Sequence, residues 1–399
     1  MPFKPQSARN LLAMITAVLV LSCRTGPSGS PCDGEKLREY RAQLDELRTE
    51  FRSYELPEAR FFLFGMGNRP KLIYSGGQLI SAFDGTIVRT YDVHEDLILP
   101  NAYQVRISTT EGEKICIYEN EKGIYIDRPK VQEVLFEGED LILPAFEGHR
   151  FSEVLKVLHH EVLVNIENGL PLPNFLVYRK PWRRDAAMMA MVLERTGNLG
   201  LIREWVLGLD EVYDYNNKSG AVSEEETDNL GQTLYLISLF ADRNHPLVPE
   251  ILLEAQKWER EIKGVRYLHG RTDFAEVPVF QTKWMKFGLH SLGLPDPYGI
   301  PDFGDAYSTL FWWDYPEFEN SEGAWVNDYY PYIGWARDHF YGTKSHPVST
   351  GDYPLTWEIR ASQADYEGIR IISDTYADGQ CAAPHTWHAA EMFLYLLKL

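Results

Sequence analysis

Four cysteines in 399 residues, scattered at Cys23, Cys32, Cys116 and Cys381, are too few and too far apart for a disulfide-stapled scaffold or a structural zinc knuckle. A basic excess is also missing. Lys and Arg number 39 against 58 Asp and Glu, a formal net charge of −19, which opposes nonspecific binding to nucleic acid or anionic lipid because nothing is left over to neutralise phosphates. No Gly-rich phosphate loop and no Ser-His-Asp order stands out. No repeat of fixed short period is visible either, which sets aside the common solenoids. His159-His160-Glu161 is the nearest approach to a zinc helix, but adjacent histidines point in different directions and the second His at i+4 is absent. Glu224-Glu225-Glu226 reads as a solvated acidic turn before a helix, where acids are favoured by the dipole. Neither metal nor cofactor is expected.

What is present is ordinary globular material, 44% hydrophobic and 24% charged, preceded by an export signal. Lys4 and Arg9 lead into an apolar run from Leu11 to Leu21, too short to span a bilayer. The run ends in Val20-Leu21-Ser22-Cys23 before a Gly/Ser/Pro stretch, which resembles a bacterial lipobox, with Cys23 acylated and left as the first residue. Cleavage without acylation is the alternative. The expected location is periplasm-facing or cell-surface, with contact to the membrane only through the N-terminal lipid. A disulfide between two of Cys32, Cys116 and Cys381 is compatible with such a compartment, and the pair stays open.

The chain divides into a signal (1–23), a linker with an amphipathic helix (24–57), a β-rich region (58–148) and a helical region (149–399). In the linker, Leu37, Tyr40, Leu44, Leu47 and Phe51 follow a 3-4-3-4 spacing that puts one apolar seam on a helix. It is a spacer or packs on the body. Runs of period two such as Lys71–Tyr74, Gly85–Tyr91, Tyr103–Ile107 and Gly123–Ile126, with the turn signal Asp84-Gly85, predict a small antiparallel β region. From Arg150 the pattern predicts helices near 151–167, 185–197, 199–213, 228–241, 247–262, 278–291, 323–340 and 385–398.

Four of the helix starts carry chemistry. Trp182-Arg183-Arg184-Asp185 ends in an N-cap-type acid, Thr227-Asp228 with Gln232 opens the next helix, Glu276 precedes Pro278 in a favoured first-turn position, and His385, Trp387 and His388 open the last. Aromatic residues beside carboxylates, as in Trp312-Trp313-Asp314-Tyr315 and Asp328-Tyr329-Tyr330, suit sugar rings, whose C–H faces stack on aromatics while the hydroxyls donate to acids.

Trp182-Arg183-Arg184-Asp185-Ala186, Phe274-Ala275-Glu276-Val277 and Pro384-His385-Thr386-Trp387-His388-Ala389-Ala390-Glu391, in that order, resemble the signatures of six-hairpin glycosidases, nearest to the glucoamylase-like group. The resemblance covers about 150–399. It implies a mainly α fold, an (α/α)6 toroid, here reduced because the chain is short for the family, preceded by the β region. It also implies an exo-acting, inverting glycoside hydrolase acting on a neutral oligosaccharide. Arg184 and Asp185 would hold the terminal sugar, with Trp182, Asp228, Gln232, Trp387 and His388 lining the site. Glu276 would be the general acid, although Ala275 stands where the family has a second acid, and Asp374 the base, with Asp378 in reserve. The alternatives are a noncatalytic carbohydrate-binding lipoprotein on a degenerate toroid, or a toroid polysaccharide lyase or epimerase. Replacement of Cys23 by Ala is expected to move the protein from the detergent phase to the aqueous phase and to abolish incorporation of labelled fatty acid. Labelling that survives the substitution would exclude Cys23 as the anchor.

Overall fold

The structure, a computed structural model, describes residues 31–50, 53–214, 225–272, 276, 278–301, 348–360 and 363–398. After a helix over Pro31–Glu50 and a two-residue strand, Ser53–Tyr54, that pairs in parallel with Val348–Ser349, nine strands form two sheets. β1 (Phe61–Phe64), β2 (Leu72–Ser75), β3 (Gln78–Ser81) and β4 (Ile87–Thr90) form a four-stranded antiparallel meander, and β5 (Val93–Leu99), β6 (Gln104–Thr109), β7 (Lys114–Glu119), β8 (Gly123–Arg128) and β9 (Val131–Glu137) form a five-stranded one. Asp84-Gly85 is the turn between β3 and β4, where Asp84 accepts the Thr86 amide at 3.0 Å and Gly85 has φ +70°.

Successive side chains of a strand point to opposite faces, and β1 buries both. Phe61 and Leu63 join the core shared with the helices. Phe62 and Phe64 join a second core with Leu72, Tyr74, Val105, Ile107, Ile115, Ile117, Ile124 and Ile126, which fills the space between the sheets. Phe61 and Leu63 thus face the core shared with the helices, and Phe62 and Phe64 the core between the sheets.

The linker helix α1 (Pro31–Glu50) packs on the body. Tyr40, Leu44 and Leu47 are wholly buried, Tyr40 donates to the Asp352 carbonyl at 2.6 Å, and Arg41 pairs with the Asp352 carboxylate at 2.7 Å. Its Gln43 side chain caps α2 (Ser152–Leu163) by accepting the Glu153 and Val154 amides at 2.9 and 3.2 Å. Phe51 lies outside the described residues.

The remaining helices are α3 (Arg183–Thr196), α4 (Arg203–Leu207), α5 (Asp228–Ser238), α6 (Leu247–Lys257), α7 (Pro278–Ser291), α8 (Asp374–Asp378) and α9 (Thr386–Leu396). They pack in the order α2, α9, α3, α5, α7. The α5–α7 crossing is the tightest, because a Cβ on Gly231 would meet the Trp284 carbonyl carbon at 2.1 Å and one on Gly288 the Gly231 oxygen at 2.4 Å.

This is not a mainly α toroid. Two large sheets and three two-stranded antiparallel pairs, Ile166–Glu167 with Leu170–Pro171, Glu259–Ile262 with Val265–Leu268, and Glu358–Ile359 with Cys381–Ala382, run through the chain. The segment predicted as a helix over 199–213 holds only a 3-10 turn at Leu199–Ile202 and the single turn of α4. The helix predicted to reach 262 stops at Lys257 and continues as a strand. The physical reason is that the four-stranded sheet covers α2 from outside: the ring of His160 stacks on Phe62 with centroids 4.9 Å apart, and Gly67 donates to the Leu163 carbonyl at 2.9 Å. The helix predicted over 323–340 falls outside the described residues.

The core holds titratable groups in their neutral forms. His160 Nε2 donates to the Leu63 carbonyl at 3.0 Å, and His159 lies 3.3 Å from the Asn198 amide. Burial drives both down to about 3, and burial with His385 nearby drives His388 down to about 4. Burial acts oppositely on Glu161 and Glu391 and pushes each carboxyl up to about 8. The unfolded imidazoles take up protons near their ordinary 6.5, whereas the folded ones resist, so stability falls as pH drops below that value. The unfolded carboxyls ionise near 4.5, whereas the folded ones hold their protons to about 8, so stability also falls as pH rises through that interval. Urea midpoints measured from pH 3 to 8 are expected to peak between 4.5 and 6.5. A midpoint that rises steadily up to pH 8 would contradict the neutral buried carboxyls.

Candidate functional site

The first turns of α3, α5 and α9 lie side by side and bring a buried polar cluster together. Their sequences read as caps, but the acids are not used that way. The N-cap of α3 is Trp182 with no side-chain cap bond, and Asp185 sits inside the first turn. The helix is capped from elsewhere, by Asp214 Oδ2 accepting the Arg183 amide at 3.2 Å. Likewise Thr227 precedes α5 without capping it, and Asp228 is already helical. Asp185 and Asp228 are thereby left for side-chain contacts.

Arg184 Nε donates to Asp228 Oδ2 at 3.0 Å, Arg184 Nη2 lies 3.5 Å from Glu226 Oε2, and Gln232 Nε2 donates to Asp228 Oδ2 at 2.8 Å. The guanidinium also faces Trp387, 5.7 Å from the ring centroid. On the other side, His385 Nε2 meets Glu358 Oε2 at 2.6 Å and lies 3.7 Å from Asp185 Oδ1. The Tyr178 hydroxyl donates to the same Glu358 oxygen at 3.2 Å. The pairing of Glu358–Ile359 with Cys381–Ala382 carries Glu358 to the start of α9. Arg184, Asp185, Glu226, Asp228, Gln232, Glu358, His385 and His388 are all buried.

Electrostatics splits the two histidines. Burial lowers the His385 pKa, but the Glu358 carboxylate, its hydrogen bond and Asp185 outweigh that, and the net shift is upward. His388 donates from Nδ1 to the Trp357 carbonyl at 2.6 Å and is neutral. Glu391, one turn along α9, is fully buried with neither oxygen hydrogen-bonded among the described residues, so burial alone keeps it protonated at neutral pH. The cluster thus sets carboxyl groups against the Arg184 guanidinium and a His385 whose pKa is raised, with a neutral acid and a neutral imidazole behind them.

Of the residues singled out in the sequence, Trp182, Arg184, Asp185, Asp228, Gln232, Trp387 and His388 are all buried at or beside these helix starts. Glu276 and Asp374 are placed otherwise. Glu276 has a side chain 62% exposed, 3.9 Å from His269 Nδ1. Asp374, 78% exposed, pairs with Arg370 at 2.9 Å, and Asp378 pairs with the same Arg370 at 3.2 Å. Cys23 and the Trp312–Tyr315 and Asp328–Tyr330 runs lie outside the described residues. Cys116 and Cys381 form no disulfide with each other. Among the described residues no group of His, Cys, Asp and Glu is arranged to hold a metal ion.

Sequence reasoning missed Glu226, Glu358, Tyr178 and Asp214. Glu226 reads as part of a solvated acidic turn, yet it is wholly buried because the Glu226–Arg271 bridge draws the chain inward beside Arg184. Its adjacency to a capping Thr227-Asp228 pair was the available signal. Replacing Arg184 by Met removes the guanidinium that pairs with the buried Asp228 and Glu226 and is expected to lower stability by about 3–5 kcal/mol. Asp228→Asn in the same chain should restore part of that loss in a denaturant double-mutant cycle, and strict additivity would show that the pair does not interact. No protein-family model, curated protein or solved structure matches the chain.

Proposed function

We propose that the protein is an exported, lipid-anchored carbohydrate-binding protein of the bacterial envelope, and that a neutral oligosaccharide binds at the helix starts of α3, α5 and α9. The observation that supports this reading is the side-by-side arrangement of Arg184, Asp185, Asp228, Gln232 and His385 with the indole faces of Trp182 and Trp387. Sugar hydroxyls donate to carboxylates and accept from guanidinium or imidazole, and the C–H face of the ring lies against an indole. Acids outnumber bases in the cluster and in the chain, where the net charge is −19, which disfavours uronates and other anionic sugars. The lyase and epimerase readings weaken accordingly.

A second reading is hydrolysis of the bound glycoside, which needs two carboxyl groups in different environments. Glu358, hydrogen-bonded to His385 at 2.6 Å, and the buried Glu391 are two such groups, beside the start of α9 and one turn along it. Glu276 and Asp374, the pair carried over from the sequence resemblance, are exposed and pair with His269 and Arg370 instead.

One experiment addresses both readings. Neutral gluco-, manno-, galacto- and xylo-oligosaccharides are titrated calorimetrically into the protein and then incubated with it, with products resolved by chromatography and anomeric configuration followed by NMR. Asp185→Asn keeps the side-chain shape but removes the charge, and is expected to weaken binding by about tenfold or more. Unchanged affinity in that variant would remove the cluster from recognition. Release of a sugar with inverted configuration, lost in Glu276→Gln, would establish the hydrolase. Binding with no product leaves a receptor.

A further inference from the structure

A concavity lies away from the helix starts, over the outer face of the five-stranded sheet. Val105, Ile107, Ile115, Ile117 and Ile126 point into the inter-sheet core, so the alternate residues point outward. Gln104, Arg106, Lys114, Cys116, Tyr118 and Asp127 line a groove of about 630 Å³, closed on its sides by Lys36 of α1, Lys156 of α2 and the 143–145 segment. The register confirms the floor: Arg106 faces Cys116 and Gln104 faces Tyr118 across β6 and β7, and Cys116 faces Asp127 across β7 and β8.

Three features describe what fits. First, Asn101 Oδ1 and Asp127 Oδ1 are buried acceptors with no hydrogen-bond partner among the described residues, and both residues line the groove. An unsatisfied buried acceptor is costly, and a ligand hydroxyl would supply the missing donor. The amide of Asn101 is fixed in place because its nitrogen donates to Glu153 Oε2 at 2.6 Å. Second, the half-buried Tyr118 ring stacks on Tyr125 with centroids 5.3 Å apart and planes at 20°, and its hydroxyl accepts from Gln132 Nε2 at 2.6 Å. The ring is therefore a rigid platform with little rotamer freedom left to lose on binding. Third, the lining interleaves bases such as Lys36, Arg106 and Lys156 with acids such as Asp96, Glu121 and Asp127, so no net field selects an ion of either sign.

We propose that this groove is a second binding site, for a short neutral saccharide. The hydroxyls donate to Asn101 and Asp127, and one ring face rests on Tyr118. The groove shares no residue with the helix cluster, so this site stands independently of the function proposed for that cluster. It places the β layer in glycan capture.

The test uses the lipid-free full domain and neutral gluco-, manno-, galacto- and xylo-tetrasaccharides, with calorimetry and hydrogen exchange on the wild type and on Tyr118→Ala, Asp127→Ala and Asp185→Asn. A saccharide is expected to protect amides within 104–127, and Tyr118→Ala and Asp127→Ala should each weaken that binding by about tenfold or more. Asp185→Asn, which acts on the helix cluster, should leave the saccharide concentration needed to protect amides within 104–127 unchanged to about twofold. Tyr118 and Asp127 lie outside the inter-sheet core, and an unchanged thermal midpoint checks that their variants stay folded. Absence of protection in 104–127 with every saccharide overturns the groove. Binding that survives both groove variants but is lost in Asp185→Asn also overturns it, while leaving the helix cluster as the recognition site. Binding lost only in the groove variants upholds the groove and removes the cluster.

Discussion

Burial of both faces of β1 is the constraint on which the layers depend. Four consecutive apolar residues, Phe61 to Phe64, are each less than 2% exposed, which requires a packed layer on each side of one strand. The five-stranded sheet supplies one layer, and α2 with α1 and α9 supplies the other. The turn that follows β1 is held by charges in a region that water does not reach. Glu119 accepts the Gly65 and Met66 amides at 2.8 Å and pairs with Arg69 at 3.0 Å, while Lys71 Nζ donates to the Gly65 and Gly67 carbonyls. Burial lowers the Lys71 pKa to about 7 and raises that of Glu119, and the Arg69 guanidinium and the Gly65 and Met66 amides oppose the shift of Glu119. Because Gly67 also bonds to the last residue of α2, the position of the first sheet is transmitted directly to the helices.

The same principle operates at the helix cluster with the sign of the compensation reversed. Asp185, Asp214, Glu226, Asp228 and Glu358 outnumber Arg183, Arg184 and His385 there, and an isolated excess of buried acid would be unstable. The first turns of α3, α5 and α9 supply the missing positive potential, since the partial charges of their amides sum at that end. Asp214 makes the exchange explicit by accepting an α3 amide, and burial still raises its pKa. An acid-rich, dipole-compensated cluster favours groups that donate hydrogen bonds without adding negative charge, which is the chemistry of a hydroxyl.

Much of this was legible in the sequence, and the failures have specific causes. The 3-4-3-4 spacing of α1 and the starts of α3, α5, α7 and α9 fell within two residues of the observed ones, because amphipathic period and Pro or Asp at a first turn are local signals. The β layer was seen but undersized. β1 has no alternation to detect since neither face is wet, and β5 and β9 are edge strands whose exposed Glu95, Val131 and Gln132 hide the period. The toroid inference failed for a different reason. Three short signatures fixed local helix starts correctly, but what packs outside a helix is decided by distant segments, here the 61–90 meander. Glu358 was invisible because a two-residue strand pair, not a motif, brings it to His385.

The two candidate sites differ in how they would gain affinity. In the helix cluster Arg184, Gln232, Tyr178 and His385 already have protein partners, so a ligand must exchange one set of hydrogen bonds for another and gains chiefly from preorganisation and from the indole faces. Such a site discriminates by geometry, since a misplaced hydroxyl leaves a buried charge unpaired. In the sheet groove Asn101 and Asp127 hold acceptors that the protein itself leaves unsatisfied, and a ligand gains by filling them on a shallow, charge-balanced surface. That arrangement tolerates variation in ring identity, because it asks only for donors at the right spacing and an apolar face over Tyr118. The continuous core that joins α1, the first sheet and the helices fixes the distance between the groove and the cluster.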